Sequence, residues 1–227
     1  MDIAYDRMLR MMDVAMLEPT ATFSQIKSLA QAAIDEGFGQ ICIHSLHVKT
    51  AAEVLGQSAP KIVACVGFPM GVITSELKAA ETQQAIADGA QEIDMVLSLT
   101  SFLDGDFPRA EEDIRSVVRA AGGAPVKVII ETCYLTSRQR ADAARLVQTA
   151  GAAFVKTSTG FSPDPAALYE DVKLIRATVG PEMGVKAAGR IRNYHRFLSM
   201  VEAGANRIGL SLAGARESVR GWKESHS

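Results

Sequence analysis

Apolar residues alternate along this chain between two rhythms. Short aliphatic runs are followed by longer stretches whose apolar positions recur at helical spacing. The short runs predict eight strands, at Ala15–Leu17, Gln40–Ile43, Lys61–Val66, Glu92–Leu97, Val126–Ile130, Phe154–Lys156, Gly184–Ala187 and Asn206–Ile208. The longer stretches predict helices between them, among them Phe23–Glu36, Ser75–Asp88, Pro108–Ala121, Ser137–Ala150, Pro165–Val179 and Asn193–Ala203. Gly37, Gly89, Gly151 and Gly204 each stand a few residues ahead of a strand, where a helix stop belongs. Eight such units, with an extra helix before the first strand, predict an α/β fold: one (β/α)8 barrel of parallel strands over residues 1–227. In that architecture the functional site lies at the C-terminal ends of the strands.

Composition narrows the classes of partner. The chain has 227 residues, 48% of them hydrophobic, enough for one substantial core. A formal charge of -2 with both signs interspersed offers no basic face, which argues against nucleic acid. No apolar run is long enough to span a bilayer, and Met1 to Met12 carry Asp2, Asp6, Arg7 and Arg10 where a secretory signal needs an unbroken apolar stretch. A cytoplasmic location is therefore expected, with neither membrane nor nucleic acid as partner. Cys42, Cys65 and Cys133 are odd in number and widely spaced, so neither a disulfide framework nor a zinc site is expected. Cys42 and Cys65 read as core. His44 and His47 lack further ligands nearby and read as loop lining, while His195 and His226 read as solvent-facing. Met8, Met11, Met12 and Met16 read as packing, and Trp222 falls in a polar C-terminal tail.

The chemistry concentrates in three strands. Phe154-Val155-Lys156 is an apolar strand ending on a lysine, followed at once by Thr157-Ser158-Thr159-Gly160. Burial at a strand end favours the neutral amine, which attacks carbonyl carbon. Gly184-Val185-Lys186-Ala187-Ala188-Gly189 places a second lysine at the corresponding end of the next strand. If both ammonium groups face one cavity, each is expected to lower the pKa of the other. In Glu92-Ile93-Asp94-Met95-Val96, period-two alternation puts both carboxylates on one face. Glu92 and Lys127, the latter with Glu131 on its face, are read as a buried charge network that holds the reactive groups in place.

Read in order, Gly89-Ala90-x-Glu92-Ile93-Asp94-Met95-Val96, Lys127-Val128-Ile129-Ile130-Glu131-Thr132, Lys156-Thr157-Ser158-Thr159-Gly160-Phe161 and Lys186-Ala187-Ala188-Gly189 resemble the deoxyribose-phosphate aldolase family over nearly the whole chain. Phe68-Pro69-Met70-Gly71 with Lys78 and Glu81, and Arg207-Ile208-Gly209 with Ser211, extend the resemblance. It implies a metal-independent class I aldolase, a lyase needing no cofactor, that cleaves 2-deoxyribose 5-phosphate to acetaldehyde and glyceraldehyde 3-phosphate. Lys156 matches the Schiff-base lysine, Lys186 the second lysine and Asp94 the carboxylate of the proton relay. The partner implied is a small sugar phosphate or aldehyde, and a homo-oligomer is left open.

The substrate-contacting shell departs from the family pattern. Asp13, expected on the substrate side, keeps its place, but in the family's Asp-His-Thr-Leu-Leu-Lys-Pro stretch this chain has Asp13-Val14-Ala15-Met16-Leu17-Glu18-Pro19, without the hydroxyl at Ala15. Lys-Ala-Ser-Gly-Gly-Ile becomes Lys186-Ala187-Ala188-Gly189-Arg190-Ile191, and Gly-Thr-Ser-Ser becomes Gly209-Leu210-Ser211-Leu212. Gly160, Gly189 and Ser211 remain as candidate phosphate contacts. Arg190 either supplies a bidentate charged donor in place of the lost neutral ones or fills the cradle. Two other readings stay open: the same imine chemistry on a carboxylated or unphosphorylated aldol, and a non-catalytic metabolite-binding barrel.

Overall fold

The structure, a computed structural model, describes residues 3–164 and 166–226. Met1, Asp2, Ser227 and the expected helix start at Pro165 lie outside the described residues. The chain opens with α1 (Tyr5–Met11), β1 (Met12–Met16), α2 (Phe23–Glu36), β2 (Gln40–His44), α3 (Val48–Leu55), β3 (Lys61–Val66), α4 (Ser75–Ala87) and β4 (Glu92–Val96). It continues with α5 (Leu99–Leu103), α6 (Phe107–Ala120), β5 (Val126–Ile129), α7 (Ser137–Thr149), β6 (Phe154–Lys156), α8 (Tyr169–Val179), β7 (Gly184–Ala188), α9 (Tyr194–Glu202), β8 (Arg207–Ser211) and α10 (Leu212–Ser225). The eight strands pair in sequence order, all parallel, and β8 closes on β1. The barrel and its extra N-terminal helix are those the hydrophobic pattern predicts.

Local chemistry fixes the helix starts. Thr22 and Thr136 each form a reciprocal capping box with a glutamine three residues on, Gln25 and Gln139. Asp106, Asn193 and Ser211 cap α6, α9 and α10 through their side-chain oxygens. Gly37 ends α2 in the left-handed conformation, at φ 74.

Period-two alternation gives each strand two unlike faces. Ile41, Ile43, Ile93, Met95, Val128, Val155, Val185 and Ile208 turn outward and are buried in the layer shared with the helices. The opposite face of the strands carries Asp13, Cys42, Cys65, Asp94, Lys127, Lys156 and Lys186, all fully or almost fully buried inside the barrel. Branched aliphatic residues usually fill such an interior. Here ionised groups fill it, and burying them carries a desolvation cost that only close pairing offsets.

Several boundaries differ from those expected. β1 begins at Met12, which brings Asp13 into the strand, and β8 runs on to Ser211. The C-terminal segment is the helix α10, not a tail. Trp222 there donates its indole N–H to the Ile3 carbonyl at 2.7 Å and packs on Tyr5, so it fastens α10 to the N-terminal helix. Among the described residues no helix is long and apolar enough to cross a membrane.

Candidate active site

Strand register brings the charged residues together. Lys156 lies directly opposite Lys186 across β6 and β7, Asp94 opposite Lys127 across β4 and β5, and Lys186 opposite Arg207 across β7 and β8. Each pair points into the barrel. Asp94 Oδ2 accepts from Lys156 Nζ and from Lys186 Nζ, both at 2.7 Å, while its Oδ1 accepts from Lys127 at 2.9 Å. Lys186 also donates to Asp13. Lys127 reaches Glu92 at 2.7 Å, and Arg207 bridges Glu92 at 3.1 Å and Asp13 at 2.9 Å.

These contacts close a circuit. Asp13, Lys186, Asp94, Lys127, Glu92 and Arg207 follow one another and return to Asp13, three carboxylates alternating with three cations. Lys156 hangs from Asp94 outside this circuit, holding only an oxygen that Lys186 also holds. Space for Lys186 comes from Gly209, where an added Cβ would lie 2.9 Å from Ala188 Cβ and 3.3 Å from Lys186 Cε. At the base, Lys127 and Arg207 sit over the Phe154 ring, 5.9 and 5.5 Å from its centroid.

The ionisation states follow. Burial pushes the Asp94 carboxyl up, but Lys127, Lys156 and Lys186 together hold it well below the usual carboxylate range. Burial works upward on Asp13 too, and Lys186, Lys127 and Arg207 hold it low. Burial would lower Lys186, yet Asp13 and Asp94 hold it well above the ordinary lysine value. For Lys156, burial and the Lys186 charge act downward and the Asp94 carboxylate upward, and the net direction is upward. The two lysines therefore do not simply depress each other, as two cations facing one cavity are expected to. The shared carboxylate outweighs the push of Lys186 on Lys156.

The site opens into a cavity of about 570 Å³ at the C-terminal ends of β1, β6, β7 and β8. Asp13, Lys156, Gly160, Lys186, Gly189, Arg190 and Ser211 all line it, and Asp94 lies behind the lysines. Arg190 is exposed and takes the left-handed conformation, φ 53, which favours the glycine of the family pattern. Ser211 accepts from the Gly214 amide at 3.2 Å, so its hydroxyl oxygen is already engaged as the cap of α10. Phe161, from the loop after β6, meets Phe68, from the loop after β3, edge to face at 5.4 Å, and Phe68 meets His44 at 5.5 Å. A larger hollow of about 980 Å³ lies outside the barrel beside α4 and α6 and includes none of the circuit.

Other expectations need correction. Glu131 does not join Lys127: the strand ends at Ile129, Glu131 turns at φ 49, and its carboxylate accepts from the Thr159 amide at 3.2 Å and from the Thr159 and Ser162 hydroxyls. It therefore holds the loop that follows Lys156. Cys42 and Cys65 are core residues as expected, clustered with Leu17 and Val63, and their Sγ atoms lie 3.6 Å apart with Cys42 Sγ 3.7 Å from Asp94 Oδ2. Among the described residues, Cys42, Cys65 and Asp94 are the one cluster with metal-ligating atoms within 4.8 Å of one another, and lysine ammonium groups hold both Asp94 oxygens. Arg192, lining the cavity, and Arg207, in the circuit, are site residues that the strand pattern does not single out. The signal for Arg192 is a second arginine two positions after Arg190.

Known proteins resemble this chain over most of its length. A family model described as DeoC/LacD family aldolase matches residues 3–215. A deoxyribose-phosphate aldolase of Thermococcus gammatolerans is 47% identical over 227 residues, covering 96% of this chain and 98% of that protein. One from Streptococcus pneumoniae serotype 19F is 48% identical over 203 residues, covering 89% and 92%. The solved deoxyribose phosphate aldolase of Aeropyrum pernix, described as a unique tetramer, superposes with a TM-score of 0.89 at 27% identity, over 97% of this chain and 92% of that one.

Proposed function

The chain belongs to the DeoC/LacD aldolase family, and on that premise we propose that it is a class I aldolase cleaving 2-deoxy-D-ribose 5-phosphate reversibly to acetaldehyde and D-glyceraldehyde 3-phosphate through a Schiff base on Lys156. The observation that carries the reading is the placing of Lys156: a buried amine that lines the cavity and holds one carboxylate oxygen already claimed by another lysine. When Lys156 leaves Asp94 to attack a carbonyl, Lys127 and Lys186 stay, so no buried carboxylate is stranded.

The steps follow from that geometry. Lys156 Nζ, once deprotonated, adds to the C1 carbonyl to give a carbinolamine; its hydroxyl takes back the proton that Lys156 gave up and leaves as water, giving the protonated imine. The C3 hydroxyl gives up its proton as the C2–C3 bond breaks, the electrons pass to the imine nitrogen, and an enamine of acetaldehyde remains. Asp94 accepts the hydroxyl proton through a water. Held below the usual range, it passes that proton on rather than keeping it, and Lys186 lies in the same hydrogen-bonded set. Protonation of the enamine at C2 and hydrolysis release acetaldehyde and restore Lys156.

Arg190, with the backbone at Gly160 and Gly189, receives the phosphate. These groups stand on the β6 and β7 loops at the mouth of the cavity, where a dianion finds an exposed guanidinium and, at Gly160, open space around the backbone. A reducing, cytoplasmic setting is part of the same reading, because Cys42 and Cys65 lie as free thiols 3.6 Å apart beside the reactive amine. So is a homo-oligomer, in keeping with the Aeropyrum pernix tetramer and with the exposed Leu46, Met70, Val72 and Leu77 on the segments after β2 and β3. The test is a coupled assay for glyceraldehyde 3-phosphate released from 2-deoxyribose 5-phosphate. Turnover supports the reading, and its absence alongside turnover of a carboxylated or unphosphorylated aldol would move the substrate.

A further inference from the structure

We propose that Arg207 and Glu92, neither of which lines the cavity, are positioning residues that set the protonation of Lys156 through the charge balance of the closed circuit. The proposal rests on the Schiff-base role of Lys156. Asp13, Asp94 and Glu92 alternate with Lys186, Lys127 and Arg207, so the circuit is electrically neutral, and Lys156 is one cation too many in a buried interior. Each circuit member has two partners of opposite sign within it, and Asp94 alone has a third buried one, Lys156. Of the four cations, Lys156 is the one whose charge the others leave unbalanced, and losing its proton makes the barrel interior neutral.

Every neighbouring element fits this assignment. Lys156 is faced by Asp13 on β1, Cys42 and His44 on β2, Cys65 on β3, Glu92 and Asp94 on β4, Lys127 on β5 with Glu131 just beyond it, Lys186 on β7 and Arg207 on β8. His44 Nε2 is engaged with the Leu17 carbonyl at 2.9 Å, and Glu131 is spent on Thr159 and Ser162. Lys61, half exposed, lies 3.8 Å from Glu92 at the base, where solvent screens it. Arg207 and Glu92 thus sit at the opposite end of the circuit from the cavity, three ion pairs from Lys156 for Glu92 and four for Arg207.

The sign of each change follows. Replacing Arg207 by a neutral residue leaves the circuit at one net negative charge, which a protonated Lys156 balances, so the amine becomes harder to form. Replacing Glu92 leaves one net positive charge and makes the amine easier to form. Replacing both restores neutrality. A unit charge at ~10 Å in an effective dielectric of ~20 shifts a titration by on the order of one pH unit.

The experiment is the pH dependence of imine trapping with acetaldehyde and cyanoborohydride, read as label on Lys156, for the wild type, Arg207→Gln, Glu92→Gln, the double variant and Arg207→Lys. The acid limb should move up by about one unit in Arg207→Gln and down by about one unit in Glu92→Gln. It should return to the wild-type position in the double variant and stay there in Arg207→Lys. A purely structural role would lower the amplitude without moving the limbs in opposite directions. If Arg207→Gln does not fold, Glu92→Gln decides alone, since its limb must move down. Limbs that coincide with the wild type, or that move the same way in both single variants, overturn the proposal. A wild type that traps no imine on Lys156 overturns instead the aldolase reading on which it rests.

Discussion

Lys156 and Lys186 stand opposite one another on adjacent strands, and their ammonium groups meet at a single oxygen, Asp94 Oδ2, each 2.7 Å away. Only Lys186 has a second carboxylate, Asp13. On the proposed reading that asymmetry divides the roles: Lys186 stays charged, and Lys156 is the lysine that leaves as an amine.

Lys186→Leu should lower the rate at pH 7 and return part of it at higher pH. Without Lys186, Asp94 Oδ2 is held by Lys156 alone, and a downward push on the Lys156 pKa disappears. Each unit of upward shift cuts the neutral amine about tenfold at fixed pH, so a loss of roughly ten- to a hundredfold at pH 7 is expected. The pH–rate profile checks it, and an unchanged acid limb would remove the electrostatic role.

Arg190→Gly should raise KM for deoxyribose 5-phosphate and leave unphosphorylated deoxyribose nearly unchanged. A charged hydrogen bond contributes roughly 1.5–3 kcal/mol, about ten- to a hundredfold in kcat/KM. The same substitution puts glycine at φ 53 and should stabilise the fold by about 1 kcal/mol, visible as a raised Tm. Improved efficiency on the phosphorylated sugar would instead show that the arginine obstructs the cradle.

Acid should unfold the protein through the barrel interior. Asp13 and Asp94 both have folded pKa values below their unfolded ones. Their contribution is therefore complete above the unfolded carboxylate range near ~3.9 and is lost as pH falls through the lower folded values. Asp13→Asn should give a chain that is less stable at pH 7 and whose stability depends less on pH below ~4. Denaturant unfolding at several pH values checks this.

The strands carrying Asp94, Lys156 and Lys186 are short and regularly alternating, so their inward faces can be assigned from the residue pattern alone. Asp13 reads as lying ahead of its strand, because a carboxylate at the strand's second position interrupts the apolar run that marks a strand. Arg207 is hidden as a site residue for a different reason. It meets Asp13 from 194 positions away, a contact created by the closure of β8 on β1, which the run Arg207-Ile208-Gly209 does not reveal by itself. Counting in twos puts Lys127 and Glu131 on one face, and that count fails where the strand stops at Ile129 and the backbone turns. The polar composition of α10 masks an apolar edge formed by Ala215, Val219 and Trp222, so the segment reads as a tail.

The central claim is that Lys156 alone becomes the carbonyl-binding amine. Borohydride reduction in the presence of acetaldehyde or deoxyribose 5-phosphate, followed by peptide mass analysis, tests it most directly. The account predicts a stable adduct on Lys156 and on no other lysine, still formed in Asp94→Asn, whose proton transfer is impaired. A label on Lys186, or none on Lys156 at any pH, would contradict it.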